Sequence, residues 1–490
     1  MFLPLFVAFL TLFLFYHFYW KRRHLPPGPT PLPFIGNIHQ FDISDSENQL
    51  LKYRNEYGKI FTLWLPEPYV FFGDFELMKK YFKKEEFSDR PSMQYMRMAL
   101  GGDFGLSIND NSWWKSQRKF AVNVLKDFGA GKSVLQDACI VEAHNLVGNV
   151  AFEQGEPIEL HSYLVTAVGN IIHQLLFGFM RSHDDSFLHE VDADIRILFD
   201  MFNCPAMFII ERFPAFIHLN KVVDIGLSDF YKHNASFTKK LWEQIEEHKK
   251  TINYSEAPRD YTDAFLMEMK RREKEGNLEE FTEQQLMGAL WDLISAGLDT
   301  TVTTLKHAFL HIIRNPEIQS KIHEEIDRVV GSEADITMSD QMRLPYTCAV
   351  IQETHRIACI VALNLPHLLS DSVEVEGYRI PKGTVVVPQY EIVHLDPREF
   401  ENPGVFRPER FMNEKGEFVK DERIIPFSIG KRSCLGENVA RMELFVYFAT
   451  MMQTFEFLPE TEDDYPPLEF NYLAVKTPKP FKVRAIVRMT

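Results

Sequence analysis

The sequence predicts a mainly α fold with a small β region, one large domain behind a single N-terminal transmembrane helix. Three observations predict it. Residues 2–20 are nearly all apolar. Residues 282–315 carry the signals of one long, uninterrupted helix. Strand-like runs are short and fall near residues 60–73 and 373–387.

A chain of 490 residues, 45% hydrophobic and with 42 Phe, can fill a sizeable core. Its formal charge of −16 excludes nucleic acid as a partner, because phosphate backbones need a basic face. Cys139, Cys204, Cys348, Cys359 and Cys434 are odd in number and scattered, without a C-x-x-C pair. That pattern is neither a disulfide framework nor a zinc site, and it suits a reducing compartment.

The first element is the run 2–20. About twenty helical residues match the roughly 30 Å hydrocarbon core of a bilayer. Tyr16, Tyr19 and Trp20 form an aromatic belt, and Lys21-Arg22-Arg23 follow at once, which predicts that the remaining chain stays cytosolic. A cleaved signal peptide is the competing reading, but the run lacks a basic leading segment and a small-residue cleavage site. Pro26-Pro27-Gly28-Pro29-Thr30-Pro31-Leu32-Pro33, ending at Gly36-Asn37, predicts a stiff spacer that cannot continue the helix. The expected organisation is an anchor over 1–20, a basic stop and proline-rich hinge over 21–37, and a body over 38–490.

Within the body, Ile60 to Leu65 and Tyr69 to Gly73 read as two strands. A helix starting near Ser112 carries Trp114 and Arg118, four apart on one face, so both can reach the same anionic group. A core Trp beside a surface Arg is the plain alternative. Residues 201–219 are conspicuously apolar; buried core and a second membrane contact with a lipophilic entrance both fit. A polar-faced helix then runs to about Lys250, and Thr251 to Arg259 form a loop.

Thr282 and Gln285 predict a capping box for the long helix, which Asn315-Pro316 closes. Its middle, Ala296-Gly297-Leu298-Asp299-Thr300-Thr301, breaks the local rules. Glycine there costs about 1 kcal/mol relative to alanine, and a buried acid costs more unless partnered. Small residues make room for a ligand, and Asp299 with Thr300 can hold and relay protons. The alternative is a packing glycine with a threonine bonding back to its own helix. Further helices are expected over 316–330 and 339–357, the second holding Glu353 and Arg356 as an i, i+3 ion pair. Residues 373–387 read as a small β-unit.

The run Phe427-Ser428-Ile429-Gly430-Lys431-Arg432-Ser433-Cys434-Leu435-Gly436-Glu437 reads as a tight loop opening a helix that continues to Phe455. A fixed cation at Arg432 and the first helix amides both favour a thiolate at Cys434. Such a thiolate can ligate a metal, and Gly436 lets a flat group lie against the backbone.

The order Phe-x-x-Gly-x-Arg-x-Cys-x-Gly over Phe427–Gly436 resembles the haem-ligand loop of the cytochrome P-450 family. The proline hinge, Trp114-x-x-x-Arg118, Ala296–Thr301, Glu353-x-x-Arg356 and Pro408-Glu409-Arg410-Phe411 follow the family's order along essentially the whole chain. The likeness is greatest to animal microsomal members of its second, drug- and fatty-acid-oxidising family. The resemblance implies the family's fold, with haem b held by an axial thiolate from Cys434. It implies that Trp114, Arg118, His367 and Arg432 contact the haem propionates, and that Ala296, Thr300 and Gly436 lie against the haem. For His367, an ordinary satisfied loop histidine stays open. Asp299 and Thr300 would supply protons, and Arg410 would join Glu353 and Arg356 in a buried structural network.

The activity so implied is a monooxygenase inserting one oxygen atom from O2 into a lipophilic small molecule: a xenobiotic, fatty acid or steroid. No dinucleotide-binding glycine fingerprint or flavin domain is present, so electrons would come from NADPH through a separate flavoprotein reductase, with cytochrome b5 as a further partner. Lys115, Lys119, Lys126, Lys132 and Lys431 would form its basic docking patch. The implied location is the endoplasmic reticulum membrane, with the catalytic domain cytosolic. Two other classes compete. A haem-thiolate isomerase or dehydratase of lipid peroxides would need no proton relay such as Asp299-Thr300, and a non-catalytic haem or lipid binder would not need a complete cysteine loop.

Overall fold

The computed structural model describes residues 2–489 except 43–44, 66, 109–111, 129–132, 202–206, 208–209, 212, 279 and 473. The chain divides into two compact units: residues 1–91, 361–404 and 425–434 form the first, and 92–360, 405–424 and 435–490 the second.

The first unit begins with the apolar helix Phe2–Phe15, which continues through Tyr16–Trp20. Its last turn is widened: Lys21 N donates to Tyr16 O, five residues back, at 2.9 Å. Leu3–Trp20 is long and apolar enough to cross a membrane, and none of it is buried. The proline-rich segment does not hang free. Thr62 N donates to Pro27 O at 2.9 Å, Thr62 Oγ1 to Pro26 O at 2.8 Å, and Trp64 N to Asn37 Oδ1 at 2.9 Å. Gly28 makes the approach feasible, since a Cβ there would lie 1.9 Å from Thr62 O.

The strand receiving these bonds, Ile60–Trp64, pairs antiparallel with Pro68–Phe72, Ile60 opposite Phe72. Pro68–Phe72 runs parallel to Val385–Pro388, and His367–Leu368 closes the sheet antiparallel to that strand. The two expected strands are therefore present within a residue of their predicted bounds. The β-unit at 373–387 resolves into a hairpin, Val373–Val375 with Tyr378–Ile380, and the sheet strand beginning at Val385.

The second unit is built around the helix Glu283–Arg314, 32 residues long and buried along most of its circumference, polar residues such as Gln285, Asp292 and Asp299 included. Thr282 Oγ1 caps it, accepting from Gln285 N at 3.1 Å. The reciprocal half of the capping box is absent. Gln285 instead turns outward, accepting from Gly105 N at 3.1 Å and donating to Gly105 O at 3.0 Å, because a buried amide satisfies more of its groups there. Ser112–Asp127, Leu160–Phe177, Phe187–Asp200, Leu227–Thr251 and Glu437–Thr454 are further helices of this unit.

The helix expected from Ser339 starts later, at Pro345. Proline lacks the N–H that an interior position needs, and its fixed φ suits a first helical position. The preceding Met338–Met342 is a separate short turn, with Thr337 and Asp340 capping each other. The apolar 201–219 stretch lies partly outside the described residues. Within it Met207 and Ile210 are buried, while Phe213, Phe216 and Leu219 are exposed, so core and surface share the segment.

Candidate haem site

In the first unit, the cysteine loop and His367 converge on the segment Phe82–Arg90. The cysteine loop is shaped by left-handed residues at Ser428 (φ 60°) and Gly430 (φ 82°). A Cβ on Gly430 would lie 2.0 Å from Phe82 O, so only glycine lets the loop sit this close. The loop folds back on itself through Cys434 N donating to Phe427 O at 2.8 Å. Cys434 is exposed, whereas Arg432 is buried and its Nε donates to Ser88 O at 2.7 Å. His367 is buried, donates from Nδ1 to Phe87 O at 2.6 Å and meets the Phe82 ring edge-on at 5.0 Å.

Burial holds the His367 pKa well below the ordinary imidazole value, and the Arg90 and Arg432 charges push the same way against the Phe87 bond. The ring is therefore neutral. With its proton on Nδ1, Nε2 offers a lone pair, and donation to a carboxylate would require a second proton.

Arg90 is a site residue that the sequence reading missed. It is buried and its NH1 donates to both Leu365 O and Pro366 O at 2.8 Å, fixing the approach to His367. A buried arginine has no sequence signature of its own. Lys431 forms an ion pair with Glu85, so its charge is partly offset.

The second unit holds the other predicted residues. Trp114 is buried and Arg118 half-buried on the helix Ser112–Asp127. Lys115, Lys119 and Lys126 lie exposed on one side of that helix; Lys132 lies outside the described residues. Midway along the long helix Ala296 is exposed and Asp299 buried. Thr300 Oγ1 donates to Ala296 O at 2.7 Å, leaving its lone pairs to accept a proton from another donor. A Cβ on Gly297 would meet Ile172 Cδ1 at 2.9 Å. The back-bonding threonine and packing glycine of the plain reading are thus both present, beside a titratable acid. Gly436 immediately precedes the helix Glu437–Thr454.

Asp299 is pushed up to about 7, first by burial and then by Asp192, with Arg196 and Lys306 opposing. Lys306 is pulled down to about 8, first by burial and then by Arg196. An acid poised near neutrality can both take and give a proton under working conditions.

The structural triad forms. Glu353 and Arg356 are fully buried and paired at 2.7 Å, and Arg410 Nε reaches Glu353 Oε1 at 3.1 Å. Arg407 N donates to the same oxygen at 2.9 Å. A second missed residue is Asp292. Its carboxylate accepts from Leu106 N at 2.5 Å, Ser107 N at 2.9 Å and Ser107 Oγ at 2.9 Å. The buried-acid logic that singled out Asp299 applies equally about two turns earlier on the same helix.

These donor sets suit haem. A pair of buried guanidiniums, Arg90 and Arg432, matches anionic propionates, whereas the neutral His367 offers them no proton, and an exposed thiol in a glycine-shaped loop next to a buried cation matches an iron ligand.

The comparisons agree. The Cytochrome P450 family model matches residues 26–485. The chain is 42% identical to the probable cytochrome P450 CYP36A1 of Caenorhabditis elegans over 95% of each chain. It is 36% identical to cytochrome P450 2D26 of Rattus norvegicus over 96% of this chain and 94% of that one. With cytochrome P450 2C28 of Mesocricetus auratus it shares 34% identity over 90% of each. A family model spanning nearly the whole chain and relatives this similar along their full length leave one conclusion: the chain belongs to the cytochrome P450 family, whose members are haem-thiolate monooxygenases.

Proposed function

We propose that this enzyme inserts an oxygen atom into a lipophilic small molecule at the cytosolic face of the endoplasmic reticulum membrane, drawing electrons from NADPH through a flavoprotein reductase. Cys434 would ligate the iron, and the observation that carries the reading is its loop: an exposed thiol on a residue whose backbone N–H donates to Phe427 O, with Gly430 seated on Phe82 O. Haem iron bearing a thiolate is electron-rich and favours cleavage of the O–O bond of dioxygen. Arg432, Trp114 and Arg118 would bind the propionates, with His367 able to donate to them only if it took a second proton; Ala296 and Gly436 would leave space for the macrocycle. Asp299, holding a proton near neutrality, would supply protons together with water, and the Thr300 hydroxyl would donate to dioxygen once it releases Ala296 O.

Residues 2–20 are the membrane span, residues 21–37 the stop and hinge, and residues 38–490 the catalytic domain. The exposed Phe213, Phe216 and Leu219 support a second contact with the bilayer, which suits a substrate arriving from lipid. The exposed face of Lys115, Lys119 and Lys126 supports docking of an acidic reductase or cytochrome b5.

The test is the absorption spectrum of the dithionite-reduced protein with and without carbon monoxide, alongside NADPH oxidation with added reductase. A strongly red-shifted Soret band that Cys434→His converts to an imidazole-type band is the expected result. A wild-type spectrum already of imidazole type would remove Cys434 from the iron. A normal spectrum with no reductase-dependent turnover would remove the proposed electron route.

A further inference from the structure

Where the apolar helix ends, a cavity of about 170 Å³ opens in the first unit, lined by Tyr19, Arg22, Arg23, Leu25, Thr62 and Trp64 among others, with no acidic residue in its wall. Two guanidiniums face it. Arg22 NH2 donates to Gly28 O at 3.1 Å and Arg23 Nε to His24 Nε2 at 2.8 Å, each bond using one of the five donors that a guanidinium carries. Aromatic rings hold the basic run in place: the Arg23 guanidinium carbon stands 3.1 Å from the Trp20 ring centroid, and Lys21 Nζ lies 4.2 Å from that of Trp64. Pro26, Pro27 and Gly28 also line it, fixed by the Thr62 bonds already described.

Cation donors at the rim of a small cavity, level with the end of an apolar span, match one ligand chemistry. A phospholipid presents its phosphate at this depth, and acidic head groups concentrate in the cytosolic leaflet. We propose that this cavity is a binding site for the head group of an anionic glycerophospholipid, its phosphate held by Arg22 and Arg23 beside Trp64. The inference rests on the reading of residues 2–20 as a membrane span. Basic residues after a span act on topology without any cavity; here a walled cavity adds a site with a defined occupant.

The test uses the full chain purified in a neutral detergent, equilibrated with equal amounts of phosphatidylserine and phosphatidylcholine, and read by native mass spectrometry. The expected result is retention of phosphatidylserine over phosphatidylcholine by roughly tenfold, the order that a pair of basic side chains gives against an acidic lipid. Arg22→Gln and Arg23→Gln should each remove most of that preference. Leu25→Trp, which fills the cavity at unchanged charge, should remove it too. Equal retention of the two lipids would overturn the proposal. So would a Leu25→Trp variant that keeps the preference, since diffuse surface charge would then account for it. Inorganic phosphate at millimolar concentration that binds and excludes phosphatidylserine would also overturn it, in favour of a free-phosphate site. Failure of the membrane span shows separately, as release of the chain from membranes by alkaline carbonate.

Discussion

Arg432 and Ser88, 344 residues apart in sequence, are joined by a 2.7 Å hydrogen bond from the arginine Nε to the serine carbonyl. This bond ties the cysteine loop to the segment that also holds His367. Replacing Arg432 by Ala leaves a buried carbonyl without its donor, a loss of about 1–3 kcal/mol. Arg432→Ala should lower the melting temperature and weaken haem retention, and Arg432→Lys should recover part of the stability but less of the haem. Thermal melts and the haem-to-protein absorbance ratio read both. Unchanged haem retention in Arg432→Ala would remove it from propionate binding.

Glu353 is a buried anion that pairs with both Arg356 and Arg410. Glu353→Gln strips the charge from under two guanidiniums, and breaking a buried pair in this way costs about 3–5 kcal/mol. The expected outcome is little or no soluble haem protein. The same change at the exposed Glu275, paired with Arg271, should shift stability by less than about 1 kcal/mol. Equal effects of the two would mean that the buried triad is not a structural keystone.

Asp299 lies at 3.8 when unperturbed and about 7 in the folded protein. A group whose pKa is raised by folding contributes stability that is fully present below its unfolded value and lost as pH rises through its folded value. Wild type should therefore lose stability relative to Asp299→Asn between about pH 4 and pH 7, a crossover that denaturant titrations at several pH values would reveal. Asparagine cannot donate an acid proton, so turnover should fall by about 10²-fold or more, with NADPH consumption diverted from product. A pH-independent difference in stability would show that Asp299 is not buried in its charged form.

Asp292 holds residues 106 and 107 through three accepted hydrogen bonds. Asp292→Ala removes the carboxylate acceptor of one buried and one part-buried amide, which costs about 1–3 kcal/mol each at most. Limited proteolysis should cut the variant near Leu106 sooner than wild type, and KM for a lipophilic substrate should change more than the reduced carbon monoxide spectrum. An unaltered cleavage pattern would show that Gln285 alone keeps this segment in place.

What could be read in the chain depended on how local its cause was. Thr282 and Asn315 bound a helix because caps act within a few residues, and both ends fell where expected. Glu353, Arg356 and Arg410 were recognisable as a set only through resemblance, since an i, i+3 pair says nothing about a third partner far along the chain. Gln285 shows the limit of a motif: the residue type was right for a capping box, but a backbone 180 residues away in sequence competed for its side chain. Arg90 and Asp292 escaped notice for the same reason. Both are held largely through main-chain groups, which leave no mark in the residue letters. The Asp299-Thr300 segment was legible because a buried acid beside a glycine violates helix economy; its raised pKa came only with Asp192, Arg196 and Lys306 in place.

The stitching of Pro26, Pro27 and Asn37 to Thr62 and Trp64 has a practical consequence for handling the protein. Ile60–Trp64 is the outer strand of its sheet, and the proline segment covers its open side. A bare strand edge is a template for pairing between molecules. Trimming the chain to improve solubility should therefore stop before Pro26: a version starting at residue 26 keeps the cover, whereas one starting after Asn37 exposes the edge and exchanges membrane association for aggregation.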